Sequence, residues 1–170
     1  DGDLNFQEYF VRKSCKPIVS GFSFLGAKKA SPNEEFLKAL TAPSLKAVII
    51  CPSNPFISID PILAVNGVRN KLRNCSAPVI AVSPIIDGSS VKGPLAKQLR
   101  ELGYQVSAST VANYYRDFID GFVIDNKDKS VVTEIEKMDI KVKVCNILMT
   151  NLNTKIELAK TVINFSSQCK

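Results

Sequence analysis

Short, continuous runs of apolar residues, separated by longer segments of helical pattern, constrain the fold of this 170-residue chain more than any other feature. Residues 46–51, 78–83 and 121–125 are rich in valine and isoleucine, which is typical of strands buried on both faces. Residues 140–145 alternate between apolar and charged side chains, as in an edge strand or a half-exposed strand. The sequence therefore predicts a core sheet built from these runs.

Helical patterns lie between and after the predicted strands. One helix is expected to begin near Ser31, which would cap it, with Pro32 in the first helical position and Glu34 completing a capping box. A second is expected to open at Ser58. The predicted helical segments from there to the end of the chain are 58–73, 94–102, 109–118, 130–138 and 153–167.

Strands that alternate with helices predict an α/β fold with an open, mostly parallel, Rossmann-like sheet and flanking helices. Residues 6–11 and 18–24 are expected to precede this sheet as a hairpin or an extended segment. Residues 1–170 would form a single α/β domain or the C-terminal portion of one, because the chain begins at Asp1 and not at a methionine.

Composition excludes several classes of function. The net charge is +6, but the lysines are scattered and no basic run with interleaved aromatics occurs, so a nucleic-acid partner is not expected. A basic cleft for a phosphorylated small molecule fits this charge better. No apolar stretch reaches the roughly 18 residues of a membrane span, and no membrane partner is expected.

The chain has no histidine and its five cysteines contain no C-x-x-C pair. The absence of histidine excludes every Ser–His or Cys–His mechanism and any histidine general base within these residues. An odd number of widely spaced cysteines argues against a zinc site and against a disulfide framework. A reducing, cytoplasmic location is the matching expectation.

Two loops follow predicted strands at the edge where parallel sheets bind ligands. The first, residues 51–58, offers Ser53, Asn54 and Ser58 beside the start of a helix, where free N–H groups can bind phosphate. An ordinary turn with Ser58 as the helix cap is an equally open interpretation.

The second loop, residues 83–94, contains donors, a cation and flexible positions. Its glycines would let the backbone approach a ligand, and its lysine would bind phosphate as a point charge. It lacks the spacing of a P-loop, and a mobile surface loop is the alternative. The candidate phosphate-binding residues in this loop are Ser83, Gly88, Ser89, Ser90, Lys92 and Gly93.

Acidic side chains near strand ends are candidates for magnesium ligands or, alternatively, for caps and surface charges. They are Asp87, Asp117, Asp120 and Asp125. Arg69 and Arg73, on the predicted helix 58–73, are expected to be solvated.

Taken together, three blocks of sequence resemble the 2-phospho-L-lactate transferase family of deazaflavin coenzyme synthesis. They are Phe6-Gln-Glu-Tyr-Phe-Val-Arg12, the segment 51–69 beginning Cys-Pro-Ser-Asn-Pro-Phe, and the segment 77–97 containing Asp-Gly-Ser-Ser-Val-Lys-Gly-Pro. Residues 102–125 continue the similarity, ending in Asp120-Gly-Phe-Val-Ile-Asp125. Family members usually carry glycine at the position of Asp60 and proline at that of Asn66.

The resemblance implies transfer of a phospholactyl or phosphoenolpyruvyl group in coenzyme F-420 biosynthesis. The donor would be a guanosine diphosphate-linked three-carbon acid, the acceptor a deazaflavin hydroxyl and the product GMP, with Mg²⁺ required. The glycine-rich N-terminal part of the family, with its acidic magnesium and deazaflavin site, is not among these residues, so the chain alone is expected to be catalytically incomplete. A nucleotide-sugar-binding regulatory protein of the same superfamily is the alternative, and a homodimer is left open.

Overall fold

The computed structural model describes residues 2–169 and is organised around a parallel sheet. Its strands are β1 (Val48–Ile50), β2 (Val79–Val82), β3 (Ile85–Ile86), β4 (Ser89–Ser90), β5 (Gly121–Asp125) and β6 (Lys141–Cys145). The main sheet has the order β1-β2-β5-β6, with every pair parallel, while β3 and β4 form a separate antiparallel hairpin. The predicted open, mostly parallel α/β architecture is confirmed.

Helices connect the strands and follow the last of them. They are α1 (Glu34–Thr41), α2 (Asp60–Leu63), α3 (Val68–Arg73), α4 (Leu95–Glu101), α5 (Ala108–Tyr115), α6 (Val132–Glu136) and α7 (Leu152–Ser166). Shorter helical turns span Glu8–Arg12, Ala27–Lys29, Pro55–Ile59 and Asn126–Val131. No helix within residues 2–169 combines the length and the apolar character needed to cross a membrane.

The main sheet is covered on two faces. Its strands follow chain order, so right-handed crossovers bring α2 to α6 to the same face. Alternate side chains of β2 and β5 pack against those helices, and the others pack against α7. The first set is Val79, Ala81, Phe122 and Ile124, and the second is Ile80, Val82 and Val123.

The burial of the strands agrees with their sequence pattern except in β1. Every residue of β2 and β5 is buried, and β6 is a half-exposed edge strand, as predicted. The prediction that β1 is buried on both faces is wrong, because Ile49 is 37% exposed. In the described chain β1 pairs only with β2, and α7 packs over β2 and β5 and leaves the Ile49 side open.

Two helix starts differ from the prediction because asparagine supplies the cap. Asn33, not Ser31, caps α1, and its Oδ1 accepts hydrogen bonds from the backbone N–H groups of Glu35 and Phe36. The predicted helix 58–73 begins earlier, at Pro55, and is interrupted between Leu63 and Val68. Gly67, with a φ of +82°, lies at the N-cap of α3.

The segment before the sheet is not a hairpin. Residues Glu8–Arg12 form a helical turn whose start is bonded to Asn5 Oδ1, and residues 18–24 contain no strand. Val19 is nevertheless buried, and its N–H donates to the Glu101 carboxylate at 3.1 Å. The predicted hairpin is therefore wrong, and residues 6–11 are helical and not extended, whereas residues 18–24 have neither helix nor strand. The segment contacts α4 through Glu101 and Lys97.

The arginines of α3 are not free in solvent, contrary to prediction. Arg69 donates to both carboxylate oxygens of Asp117, from Nε at 2.9 Å and from Nη2 at 2.5 Å. Arg73 donates to the same carboxylate, and the Arg69 guanidinium lies 4.9 Å from the centre of the Phe118 ring. Because Asp117 precedes β5, this ion-pair cluster ties α3 to the amino end of the sheet.

Acid should weaken this cluster in a defined pH window. Hydrogen bonds from Arg69, with help from Arg73, hold the pKa of Asp117 down at about 2, below the usual 3.8, although burial opposes them. The unfolded chain therefore binds a proton more readily, so this stabilisation is complete above about pH 5 and declines toward pH 2. Allowing for partial exposure, we expect Asp117→Asn to cost about 1–2 kcal/mol in urea unfolding at pH 7 and clearly less at pH 3.

The exposed Asp3 provides the control for this measurement. Asp3→Asn should leave the free energy of unfolding unchanged at both pH values. A cost for Asp117→Asn that is equal at pH 7 and pH 3 would show that the carboxylate charge contributes nothing to stability.

Candidate functional site

The carboxyl ends of the main strands bring the two predicted loops to one edge of the sheet. Residues 53–58 follow β1 and residues 83–93 follow β2, and these strands are parallel neighbours. Asp125, the last residue of β5, lies at the same edge. This is the edge at which open α/β sheets bind ligands.

Asn54 organises the first loop. Its Oδ1 accepts from the N–H groups of Phe56 at 3.0 Å and Ile57 at 3.4 Å, so Asn54 is the cap that was predicted for Ser58. The N–H groups that the sequence offered to a phosphate are therefore bonded within the protein. Of the other two predicted residues, Ser58 is exposed inside the helical turn, and Ser53 is half-buried directly before the cap.

The second loop is folded into a hairpin. Ile85 pairs with Ser90 and Ile86 with Ser89, and the turn between the strands is Asp87-Gly88. Both turn residues have positive φ, +52° for Asp87 and +64° for Gly88, as a two-residue turn of this handedness requires. Gly88 thus has a structural reason to be glycine. This part of the segment is therefore a paired hairpin.

Polar groups of the second loop divide into bonded and exposed sets. The Ser83 hydroxyl is buried and bonded to both the N–H and the C=O of Ile85, and Ser90 Oγ donates to Gly93 O at 3.2 Å. Ser89 and Lys92 are exposed, and Gly93 has a φ of +72°. The loop therefore presents Ser89 and Lys92 outward from a hairpin fixed by its serines.

An acidic residue that sequence reasoning missed holds the hairpin turn. Asp128 is buried, and both of its carboxylate oxygens accept from the Asp87 N–H, at 3.1 and 3.3 Å. Burial raises the pKa of Asp128, the Asp87 N–H opposes that rise, and the charges of Asp125 and Asp87 add to it. Asp125 is also bonded, to the N–H groups of Lys127 and Ile147.

The four acidic candidates are divided between the two ends of the main sheet. Within residues 2–169, no group of three or more His, Cys, Asp or Glu side chains is placed to hold a metal ion. Asp117 and Asp120 precede β5 at the amino end of the sheet, whereas Asp125 ends that strand, so they cannot share one ion. The Asp120 carboxylate instead accepts from the Val79 N–H at 2.8 Å.

Asp60, at a position where the resemblance led us to expect glycine, lies in the helical layer. It accepts a hydrogen bond from the Tyr114 hydroxyl on α5. Burial raises the pKa of Asp60, while the Tyr114 hydrogen bond and the charge of Arg69 lower it. This carboxylate is thus bonded within the protein and does not point as a free charge toward a phosphate.

Gln98 is a buried polar residue that the sequence pattern could have revealed. It lies between Leu95 and Leu99 on the apolar stripe of α4 and is completely buried. Its amide contacts Asn54 of the first loop and Tyr9 of the N-terminal helical turn. Its place on the apolar stripe of α4 was the sequence signal that could have identified Gln98 as a buried polar residue.

A cavity of about 340 Å³ adjoins the second loop. Gly93, Pro94 and Lys97 form one wall, and Phe10, Ser14 and Cys15 form the other. The Lys97 ammonium is held in that wall by Glu101 and by Pro17 O. A second cavity, of about 490 Å³, lies near Asp139 and Gln168, at the opposite edge of the sheet.

Comparison with known proteins gives a consistent result. Residues 1–161 match the sequence profile described as 2-phospho-L-lactate transferase CofD. The chain is 36% identical over 162 residues to a 2-phospho-L-lactate transferase of Methanocaldococcus jannaschii, covering 95% of this chain and 50% of that protein. It is 34% identical over 168 residues to a phosphoenolpyruvate transferase of Kitasatospora aureofaciens, covering 98% of this chain and 52% of that protein.

A 2-phospho-L-lactate transferase of Methanosarcina acetivorans is 36% identical over 169 residues, which cover 99% of this chain and 54% of that protein. The chain therefore spans about half the length of the curated relatives that it matches. Because the profile match extends over nearly the whole chain, the chain belongs to the 2-phospho-L-lactate transferase family.

Proposed function

We propose that this chain supplies the nucleotide-binding part of a transferase that moves a phospholactyl or phosphoenolpyruvyl group to a deazaflavin, in coenzyme F-420 biosynthesis. The observation that carries the proposal is the family match over residues 1–161. The donor is proposed to be guanosine diphosphate linked to the three-carbon acid. Relatives bearing the names of both transferases match this chain, so the identity of that acid stays open.

The reaction needs positioning and charge neutralisation more than covalent help from the protein. The acceptor hydroxyl attacks the phosphorus that carries the three-carbon acid, the bond from that phosphorus to GMP breaks, and the hydroxyl loses its proton. None of these steps requires a histidine. The proposed contribution of this chain is to bind the diphosphate between residues 53–58 and 83–93.

Within those loops the available groups differ in role. Lys92 is exposed and cationic, which suits the neutralisation of phosphate oxygens. Ser53 and Ser89 offer hydroxyl donors, while Asn54, Ser83 and Ser90 fix the shapes of the loops. We propose that Lys92, Ser53 and Ser89 contact the diphosphate directly.

Magnesium and the acceptor are assigned to the half of the family fold that this chain does not span. Within residues 2–169, no three His, Cys, Asp or Glu side chains converge on one position. The five free cysteines support a reducing, cytoplasmic location as part of the same proposal. A homodimer also stays a prediction.

Titration calorimetry with this chain and GDP tests the proposal. We expect GDP to bind, and Lys92→Ala to weaken binding about three- to tenfold, because an exposed charge-assisted contact is partly screened. Raising the salt concentration should shrink that difference. Lys137→Ala, an exposed lysine at the amino end of β6 with the same change in net charge, should leave the dissociation constant unchanged.

Other outcomes would point elsewhere. Tighter binding of UDP than of GDP would favour a nucleotide-sugar-binding regulatory protein. An unchanged dissociation constant in Lys92→Ala, with a loss in Lys137→Ala, would place the ligand near the end of α6 and away from the two loops.

A further inference from the structure

Gln98 is completely buried, yet it carries an amide with strong hydrogen-bonding capacity. Its Oε1 accepts from Asn54 Nδ2 at 2.6 Å, and its Nε2 donates to the Tyr9 hydroxyl at 3.2 Å. A buried donor or acceptor without a partner destabilises the folded state. Both neighbouring segments supply a partner, so the oxygen and the nitrogen of the amide each have a hydrogen bond.

The orientation of this chain of hydrogen bonds is fixed by the backbone at one end. Asn54 Oδ1 accepts from the N–H groups of Phe56 and Ile57, and backbone N–H groups can only donate. Asn54 must therefore present its NH₂ group to Gln98, and Gln98 must present its own NH₂ group to Tyr9. This assignment gives Asn54 and Gln98 consistent donor and acceptor roles.

The hydrogen bonds of Gln98 connect three separate segments of the fold. Gln98 lies in α4, the helix that follows the second loop, whereas Asn54 lies in the first loop and caps its helical turn Pro55–Ile59. The bond between them joins residues 44 apart in sequence across the two loops at the ligand edge. The bond to Tyr9 joins residues 89 apart and brings in the N-terminal turn.

We propose that Gln98 is a positioning residue whose amide holds the loop 53–58 at a fixed spacing from α4 and the loop 83–93, so that both can contact one diphosphate. This inference rests on the proposed function for the ligand that is bound. It does not require Gln98 to touch the ligand. Gln98 acts through Asn54, whose side chain shapes the first loop.

Hydrogen exchange of the ligand-free chain tests the positioning role separately from ligand binding. In Gln98→Met, which keeps the length but removes the hydrogen bonds, we expect exchange at the Phe56 and Ile57 amides to rise at least fivefold relative to the Ala81 amide in β2. Equal acceleration at all three amides, or none, would show that Gln98 affects only global stability and would overturn the inference.

GDP calorimetry below the unfolding temperature supplies the second measurement. Gln98→Met should raise the dissociation constant about five- to twentyfold, whereas the exposed Gln105→Met should not change it. Tyr9→Phe leaves the Asn54–Gln98 bond in place and should stay within about twofold of the wild type. If wild-type chain does not bind GDP at all, the proposed function is wrong, and the exchange rates still decide whether Gln98 holds the loop.

A double-variant cycle separates coupling from two independent effects. Asn54→Ser retains an oxygen that can cap the helical turn but removes the NH₂ donor to Gln98. If the bond between them is what matters, the double variant should bind GDP no more weakly than the weaker single variant, within about twofold. Multiplying effects would overturn the inference. If Gln98→Met does not fold, Asn54→Ser alone still tests the effect of losing the Asn54–Gln98 hydrogen bond.

Discussion

Gly121→Ala is expected to lower the free energy of unfolding by about 1–3 kcal/mol, although it adds only one methyl group. A Cβ atom at Gly121 would lie 2.8 Å from each of three side-chain atoms: Cys169 Sγ, Ile80 Cδ1 and Phe165 Cε1. Gly121 begins β5 on the face covered by α7, so the new methyl group would separate the helix from the sheet. All three contacts are side chains that can shift, which keeps the cost finite.

Urea unfolding with two controls tests this packing argument. Gly21→Ala should be nearly neutral, because Gly21 does not need a positive φ and no atom lies within 4 Å of its added Cβ. Gly121→Ala should cost less in a Cys169→Ala background, where one of the three contacts has been removed. If the cost is the same in both backgrounds, overpacking against the end of the α7 layer is not its cause.

The sequence predicted the strands of the main sheet well because their apolar composition indicates burial. Residues of β2 and β5 are apolar without interruption, and both faces of each strand are covered. β1 has the same composition, but its exposure depends on which elements lie beside it. Sequence composition cannot report that Ile49 lies on an edge strand beyond the cover of α7, since this is a property of the assembled layers.

The candidate site was predicted as two loops, but not as the structure that fixes them. Strand ends identified residues 53–58 and 83–93, but the Asp87-Gly88 turn inside the second loop was not predicted as a hairpin turn. The partners of these loops, Gln98 and Asp128, lie 44 residues from Asn54 and 41 from Asp87. Local patterns carry no information on contacts over such separations, except for the polar residue on the apolar stripe of α4.

Two adjacent tyrosines on α5 are expected to respond to loss of their hydroxyl groups with opposite signs. Tyr115 is 2% exposed, and its hydroxyl has no hydrogen-bond partner within the part of the chain that the structure describes. Burial raises the pKa of Tyr115, so the hydroxyl stays neutral and desolvated. Tyr115→Phe should therefore raise the free energy of unfolding by about 1 kcal/mol.

Tyr114→Phe should instead lower the free energy of unfolding by about 1–3 kcal/mol. The Tyr114 hydroxyl donates to the Asp60 carboxylate, and a hydrogen bond to a charged, half-buried group is stronger than a neutral one. The Tyr114 hydrogen bond and the charge of Arg69 both lower the pKa of Asp60, and Tyr114→Phe removes the first of them. The pKa of Asp60 should consequently rise in this variant.

Urea unfolding of the two phenylalanine variants at pH 7, with an NMR titration of Asp60, measures both effects. The variants have the same composition and differ only in which of two neighbouring hydroxyl groups is missing, so each serves as the control for the other. Similar losses of stability in both would mean that the Tyr115 hydroxyl has a partner in solution. If the pKa of Asp60 is unchanged in Tyr114→Phe, the hydrogen bond from Tyr114 on α5 does not stabilise the Asp60 carboxylate on α2. Another interaction would then have to explain how the fold accommodates a carboxylate at position 60.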